Sequence, residues 1–358
     1  MIRSLVYKIG SAFAALWGVA SLVFFLFTVL PGDPAQMMLD QNEDSIQLAL
    51  IKSKFGFDLP VSSQYFYYLN DLSPLSLHSK NSNHFAHYDP TRYGGLILAN
   101  LSSSVVVIKW PYLRTSYQKR GKPIAEIIAE TLPNTALLAV SSMTIAVILG
   151  VSLGIIATLN KGNWLDRLLQ LISTLGMSIP SFFSAILFSW FFGYLLHDLT
   201  GLNMTGSLYE LDDYGEANRI QWKNLILPGF VLGIRPLAVI IQLLRSSLLE
   251  VLSEDYIRTA YAKGLSRYQV VLKHALKNAL NPVLTAVSGW FASLLAGAIF
   301  VEFIFGWKGL GKELVEALNQ LDIPVVMGSV LTIAFFFIII NIVVDYIYAF
   351  LDPKIKIL

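Results

Sequence analysis

Long apolar runs alternate with short polar segments along this chain. A hydrocarbon core of ~30 Å takes about 20 helical residues to cross. Five charge-free stretches reach that length: Ile9–Gly32, Thr131–Asn160, Leu168–Leu196, Asn278–Val301 and Ile323–Val344. A sixth, Leu225–Leu249, is as apolar but is interrupted by Arg235 and closes near Arg245. Lipid offers no partner to free backbone N–H and C=O groups, so each stretch is expected to be helical. The pattern predicts an all-α integral membrane protein with six transmembrane helices.

Six crossings put both termini on one side. With that side cytoplasmic, twelve Lys and Arg residues fall in cytoplasmic segments and four in the short outer loops. This asymmetry fits the positive-inside bias, so the chain reads N-in, C-in. Arg3 and Lys8 precede the first apolar run as in a secretory signal, but the run is long and closes on Leu30-Pro31-Gly32-Asp33-Pro34. No small-residue cleavage site follows, and an uncleaved helix is expected. The chain then divides into four parts. Residues 1–32 form the cytoplasmic N-terminus and first helix, and 33–130 an external (periplasmic) region. Residues 131–304 hold helices two to five with a cytoplasmic loop at 250–279, and 305–358 an outer loop, the last helix and the cytoplasmic C-terminus. The external region holds a helix-like stretch near Asp44–Phe55, the aromatic run Tyr65-Phe66-Tyr67-Tyr68 and a polar segment, Ser73–Pro90. Loops of this length are usually functional or partner-binding.

Composition agrees: 55% of the 358 residues are hydrophobic and 14% charged, against about a quarter charged in soluble domains. A net charge of +2 without a basic stripe argues against nucleic acid. The absence of cysteine excludes thiol catalysis, thiolate metal sites and disulfides. An intramembrane hydrolase would need a nucleophile–base or metal motif, and neither His-Glu-x-x-His nor Gly-x-Ser-x-Gly occurs.

The segment between the fourth and fifth spans is the most informative. Ser253 is expected to cap a short helix, with Glu254 and Asp255 in its first turn where the dipole favours acids. Tyr256, Ile257, Ala260 and Tyr261 fall on one face, with Arg258 and Lys263 off it. Gly264 ends the helix in a left-handed turn. Ser266 and Gln269 form a capping box that starts a second helix, and Pro282 permits a kink after membrane entry. A short amphipathic helix, a glycine elbow and a helix running into the membrane can pass movement from a cytoplasmic partner to a span. By amphipathicity alone, an interfacial helix lying on lipid fits equally.

Asp255-Tyr-Ile-Arg-Thr-Ala-Tyr-Ala-Lys-Gly264, followed by His274-Ala-Leu-Lys-Asn278-Ala-Leu-Asn-Pro282, resembles the EAA loop of ABC importer permeases. It is most similar to the first permease subunit of the dipeptide/oligopeptide/nickel family. Leu30-Pro-Gly-Asp-Pro-Ala35, Leu132-Pro-Asn-Thr135, Val301-Glu-Phe-Ile-Phe-Gly-Trp-Lys-Gly-Leu-Gly311 and Asn341-Ile-Val-Val-Asp345 with Leu351-Asp-Pro-Lys354 agree in order. The resemblance implies a type I importer-like permease in a bacterial inner (cytoplasmic) membrane. Its loop would fit a cleft in an ATP-binding subunit, with Ala260 and Gly264 allowing close approach. Asp255, Arg258 and Lys263 would supply polar contacts; Tyr256, His274, Asn278 and Pro282 complete the element. Implied partners are a second related permease, two cytoplasmic ATP-binding subunits and an external solute-binding protein. Short peptides are the implied cargo, with nickel or another small solute as the alternative. A gated channel would leave the loop without a docking purpose. ATP and Mg belong to the partner subunits, and no cofactor is expected on this chain.

Gly306-Trp-Lys-Gly-Leu-Gly311-Lys312 has the spacing of a phosphate cradle, but Glu313 replaces the required Ser or Thr, and no strand precedes it. Arg235, costly inside a span, is a candidate for the translocation path or for a structural pair with Glu302. Glu302 and Asp345, near the ends of their spans, are expected to make structural polar pairs. His78, His84 and His87 lie in a polar stretch and are expected to be solvated rather than metal ligands. Gly150 with Gly154, and Gly229 with Gly233, have the small-xxx-small spacing of close helix packing.

Overall fold

The computed structural model describes residues 2–29, 34–37, 45–82, 84–119, 121–211 and 218–351. In chain order, α1 (Ile2–Val29), α2 (Pro34–Met37), α3 (Ser45–Phe55) and α4 (Val61–Leu72) precede β1 (Leu75–Ser79), α5 (Pro90–Tyr93), β2 (Leu96–Asn100) and β3 (Ser104–Ile108). There follow α6 (Ile124–Leu159), α7 (Trp164–Ser178), α8 (Ser181–Trp190), α9 (His197–Thr200) and the hairpin β4 (Tyr209–Leu211) with β5 (Asn218–Ile220). The rest is helical: α10 (Ile226–Val251), α11 (Asp255–Ala262), α12 (Arg267–Val270), α13 (Leu276–Ala279), α14 (Asn281–Phe305), α15 (Leu310–Asn319) and α16 (Ile323–Leu351). Leu30–Asp33 and Asp352–Lys354, parts of two motifs above, lie outside the described residues.

Among the described residues α1, α6, α10, α14 and α16 are long and apolar enough to cross a membrane, and the bent pair α7–α8, taken as one span, brings the number to six. The helices outrun the charge-free stretches. α6 starts at Ile124 because Glu126 and Glu130 interrupt the apolar run without interrupting the helix, and α14 continues through Glu302 to Phe305. The stretch read as the third span is not one straight helix. α7 and α8 meet at 113°, because Pro180 lacks an N–H and drives Ile179 out of the helical region, to φ −77° and ψ 130°.

Contacts group the chain into two compact units. The first holds residues 1–8, 131–315 and 335–358; the second holds 9–130 and 316–334.

In the first unit α10 is central, packing on α7, α8 and α14. α6 joins it through glycines: a Cβ on Gly150 would come 2.7 Å from the Ile240 side chain, and one on Gly233 would come 2.7 Å from the Ser142 carbonyl. The two small-xxx-small segments therefore pack α6 and α10 closely within this chain, where dispersion rather than water exclusion supplies the attraction. Ile240, Leu244 and Leu248 of α10 continue into a cluster with Ile257, Val270 and Val271.

In the second unit β1, β3 and β2 form an antiparallel sheet in that order, with Leu75 and Leu96 both opposite Ile108. β1 lies inside the stretch read as polar and solvated. It turns Ser76 and His78 inward and leaves Leu75 and Leu77 exposed, the reverse of the usual alternation. His78 is 1% exposed, 4.2 Å from the Tyr93 ring, with Nε2 3.0 Å from Ser76 Oγ. Burial, with the nearby Lys109 charge, holds its imidazole below the ordinary range. Buried Asp71 of α4 accepts from Arg114 Nε at 2.9 Å, and its carbonyl accepts from Lys109 Nζ. The Asp322 carboxylate accepts from Ser116 Oγ and from the Tyr117 and Gln118 N–H groups. Ala20, Val23 and Phe24 of α1 cluster with Tyr68, Met327 and Leu331.

Candidate functional site

The loop after α10 keeps the predicted plan with local changes. Glu254, not Ser253, is the N-cap of α11, with φ −70° and ψ 150°. The Ser253 hydroxyl instead donates back to the Glu250 carbonyl at 2.6 Å and finishes α10. Ile257 is fully buried and Ala260 is 6% exposed, both packed on the end of α10. Tyr256 and Tyr261 are 43% and 42% exposed, so the buried stripe is narrower than the spacing implied. Ala260, expected to face a partner, is used within the chain.

Gly264 adopts φ +79°, the left-handed turn that favours glycine. A Cβ there would meet nothing within 4 Å, so the elbow is open. The Ser266–Gln269 capping box is present, with Ser266 N donating to Gln269 Oε1 at 3.1 Å. The second helix is segmented: α12, a π-helical turn at Val271–Ala275, and α13. It restarts as α14 after Leu280, and Pro282 sits in the first turn of α14, where its missing N–H costs nothing.

Polar contacts tie this element to α6 and brace α11 against α13. Arg267 Nη2 donates to the Thr158 carbonyl at the end of α6 at 3.0 Å, and Asn278 Nδ2 donates to the Tyr256 hydroxyl at 2.9 Å. Asp255 and Arg258 pair at 3.3 Å with both side chains largely in solvent, which is worth ~1 kcal/mol or less. Asp255, Tyr256, Arg258, Lys263, Gly264, His274, Asn278 and Pro282 are all exposed. Ile257, Ala260, Val270, Val271, Ala275 and Ala279 are buried beneath them. The result is a polar platform on an apolar base continuous with α10.

A nearby ion pair has no counterpart in the sequence motifs. Arg245 Nε and Nη2 donate to the two oxygens of Asp166 at 2.6 and 2.8 Å, and Gly162 N and Gln170 Nε2 complete the carboxylate's partners. It locks α7 to α10 beside the loop. The partners are distant in sequence, and only the apolar context of Arg245 hinted at a pairing.

The remaining candidates separate. Glu302 is fully buried and accepts from the Gly311 and Lys312 N–H groups at 2.7 and 3.2 Å. Its partner is therefore the start of α15, not Arg235. Arg235 is half-buried on α10, and its Nε has no hydrogen-bond partner among the described residues. Asp345 pairs with Lys8 at 2.8 Å. Among the described residues no group of three His, Cys, Asp or Glu is placed to hold a metal ion.

A family model described as the binding-protein-dependent transport system inner membrane component matches residues 150–357, and its N-terminal companion matches 1–88. The chain belongs to this family. It is an ABC importer permease, a multi-pass inner-membrane transport subunit and not an enzyme. This permease is 35% identical over 355 residues to the dipeptide transport system permease protein DppB of Alkalihalophilus pseudofirmus, covering 95% of each chain. It is 32% identical over 356 residues to the glutathione transport system permease protein GsiC of Escherichia coli strain K12, covering 99% of each. Among solved structures, an inward-facing methionine ABC transporter MetNI aligns with TM-score 0.48 and 18% identity, over 63% of this chain and 95% of that one.

Proposed function

We propose that this permease forms half of the translocation pathway of an ATP-driven importer of short peptides. It works with a second related permease, two cytoplasmic ATP-binding subunits that hold ATP and Mg, and an external solute-binding protein. One observation carries the coupling role: the loop presents an exposed polar platform whose buried side is continuous with α10. A partner pressing on Asp255, Tyr256, Arg258 and Lys263 displaces α11 as a body. Ile257 and Ala260 pass that displacement to Leu244 and Leu248 rather than losing it in a mobile loop. The Gly264 elbow and the restart at Leu280 are the points at which the element can bend relative to α14.

The peptide reading rests on the relatives, one named for dipeptides and one for glutathione, a tripeptide thiol. Arg235 fits a path that takes peptides: its Nε has no hydrogen-bond partner among the described residues, and a carboxylate or water would match it. Cargo is tested by reconstituting the captured complex with its binding protein and measuring ATPase stimulation by dipeptides, glutathione and nickel salts. Stimulation by peptides alone supports the proposal; stimulation by nickel alone overturns the cargo.

A further inference from the structure

The three-stranded sheet of the second unit is apolar on the outside. On β1 Ser76 and His78 are buried while Leu75 and Leu77 are exposed, and on β3 Val105 and Val107 are buried while Ile108 is exposed. The register sets Leu77 opposite Val106, and Ile108 opposite both Leu75 and Leu96, so these side chains share one outer face. Past the strand Lys109 is buried and Trp110 is 89% exposed, which continues the alternation. None of the three strands contains a Lys, Arg, Asp or Glu, and the face ends in hydroxyls where Ser79 lies opposite Ser104. A contiguous apolar face of this kind marks an interaction surface.

The element beside the sheet lies at the level of the membrane. On α4, Tyr65 Oη is 2.6 Å from Ser21 Oγ. At 1.5 Å per residue, Ser21 is about 10 Å inside the Thr28 end of the first span. Tyr68 clusters with Met327 and Leu331, and Leu331 is about 12 Å inside the Ile323 end of the last span. α4 therefore runs alongside the ends of α1 and α16 rather than beyond them. An apolar surface leads from the span to the sheet. Phe25 of α1 is exposed with its ring 5.0 Å from that of Tyr65, and Phe66 beside it is exposed as well. Asn70, one turn after Phe66 on the same face of α4, clamps β1: its Nδ2 donates to the Leu77 carbonyl at 3.0 Å, and Leu77 N donates to its Oδ1 at 2.8 Å.

We infer that the outer face of this sheet rests on the lipid of the outer leaflet, at the boundary between headgroups and acyl chains. Leu75, Leu77, Leu96 and Ile108 enter the apolar side of that boundary, and Trp110 lies at the headgroup level that tryptophan favours. The unpaired backbone edge of β2 cannot enter hydrocarbon. A sheet lying flat keeps that edge among headgroups and water. The external solute-binding protein is a poorer fit, because a partner that docks and leaves meets a surface about as polar as the rest of the protein. The region between α1 and α6 is thus in part a membrane-lying element rather than a wholly projecting domain.

The chain has no cysteine, so Leu77→Cys and Leu96→Cys each give it one thiol for a nitroxide label. The permease is labelled together with its partner subunits in nanodiscs of phosphatidylethanolamine and phosphatidylglycerol, and the unsubstituted complex supplies the background. Relaxation of the label by oxygen, which concentrates in lipid, is compared with relaxation by a water-soluble nickel chelate. Leu22→Cys, on the exposed side of α1, is the lipid reference. Labels at 77 and 96 are expected to behave as at 22, with oxygen several-fold more effective than the chelate. Chelate access at both positions equal to that of the free label in water would overturn the assignment. So would loss of relaxation by both agents, with or without added binding protein, because a protein partner would then cover the face.

Discussion

The carboxylate of Glu302 accepts the backbone N–H of Gly311 at 2.7 Å. That N–H belongs to the first turn of α15, where free donors and the positive dipole end gather. The glycine-rich segment at 306–312 is therefore an anion seat already filled by a carboxylate of its own chain. Trp307 Nε1 donates to the Asn134 carbonyl at 3.0 Å, and Leu310 N donates to Thr135 Oγ1 at 2.8 Å. Two segments that look independent in the sequence, Leu132–Thr135 and Val301–Gly311, close one joint.

Glu302→Ala should strand the Gly311 and Lys312 donors and lower stability by about 2 kcal/mol or more. Thermal unfolding in detergent measures it. Glu302→Gln keeps an acceptor and should lose less. Gly309→Ala should be comparably harmful, because its Cβ would overlap the Glu302 carboxylate.

Removing either partner of the Asp166–Arg245 pair leaves a buried polar group without its match. Arg245→Met and Asp166→Asn should each cost about 3 kcal/mol. The double variant should be less unstable than the sum, since no lone charge remains. Additive losses in unfolding experiments would show that the pair does not act as a unit.

The two faces of α11 should fail differently. Ile257→Asp places a charge in the apolar base and should reduce the amount of folded permease recovered from membranes. Arg258→Ala with Lys263→Ala changes only exposed groups that make no contact holding the element. It should leave expression and thermal stability near wild type while abolishing substrate-stimulated ATPase activity of the reconstituted complex. Normal stimulation in that variant would place the coupling contact elsewhere.

Lys109 is 5% exposed, and burial pulls its ammonium down to about 8 against the opposing charge of Asp71. An unfolded lysine titrates near ~10.4. Between these values the unfolded chain holds a proton that the folded chain has released, so stability rises as pH rises from about 8 towards 10. Below about 8 both states are protonated, and the burial penalty is present in full. Above pH ~10 the trend reverses, because the unfolded tyrosine ionises first while burial pushes Tyr117 up to about 12. Apparent Tm should therefore rise between about pH 7.5 and 9.5 in the wild type and stay nearly flat in Lys109→Met. A wild-type Tm that falls over this range contradicts the assignment.

What was legible in the sequence was local. The Gly264 elbow and the Ser266–Gln269 capping box depend on residues within a turn of each other, and both are where their chemistry puts them. Membrane crossings were legible because the apolar runs are long, although Pro180 marked a 113° break that hydropathy alone passes over. Ser253 misled because a hydroxyl at a helix junction can serve either helix. His78 misled because β1 buries its polar side, and alternation says which residues share a face but not which face is inside. The pairing of Asp166 with Arg245 and the capping of α15 by Glu302 need the tertiary fold to bring their groups together.

The central claim is that the 255–264 platform meets an ATP-binding subunit. The chain has no cysteine, so R258C gives it a single thiol on the exposed face of α11. Cross-linking in native membranes with a short bifunctional reagent, followed by mass spectrometry of the product, is predicted to join residue 258 to an ATP-binding subunit. The control K80C, in the region between α1 and α6, is predicted to give no such product. Recovery of R258C without that subunit, or the same product from K80C, would contradict the account.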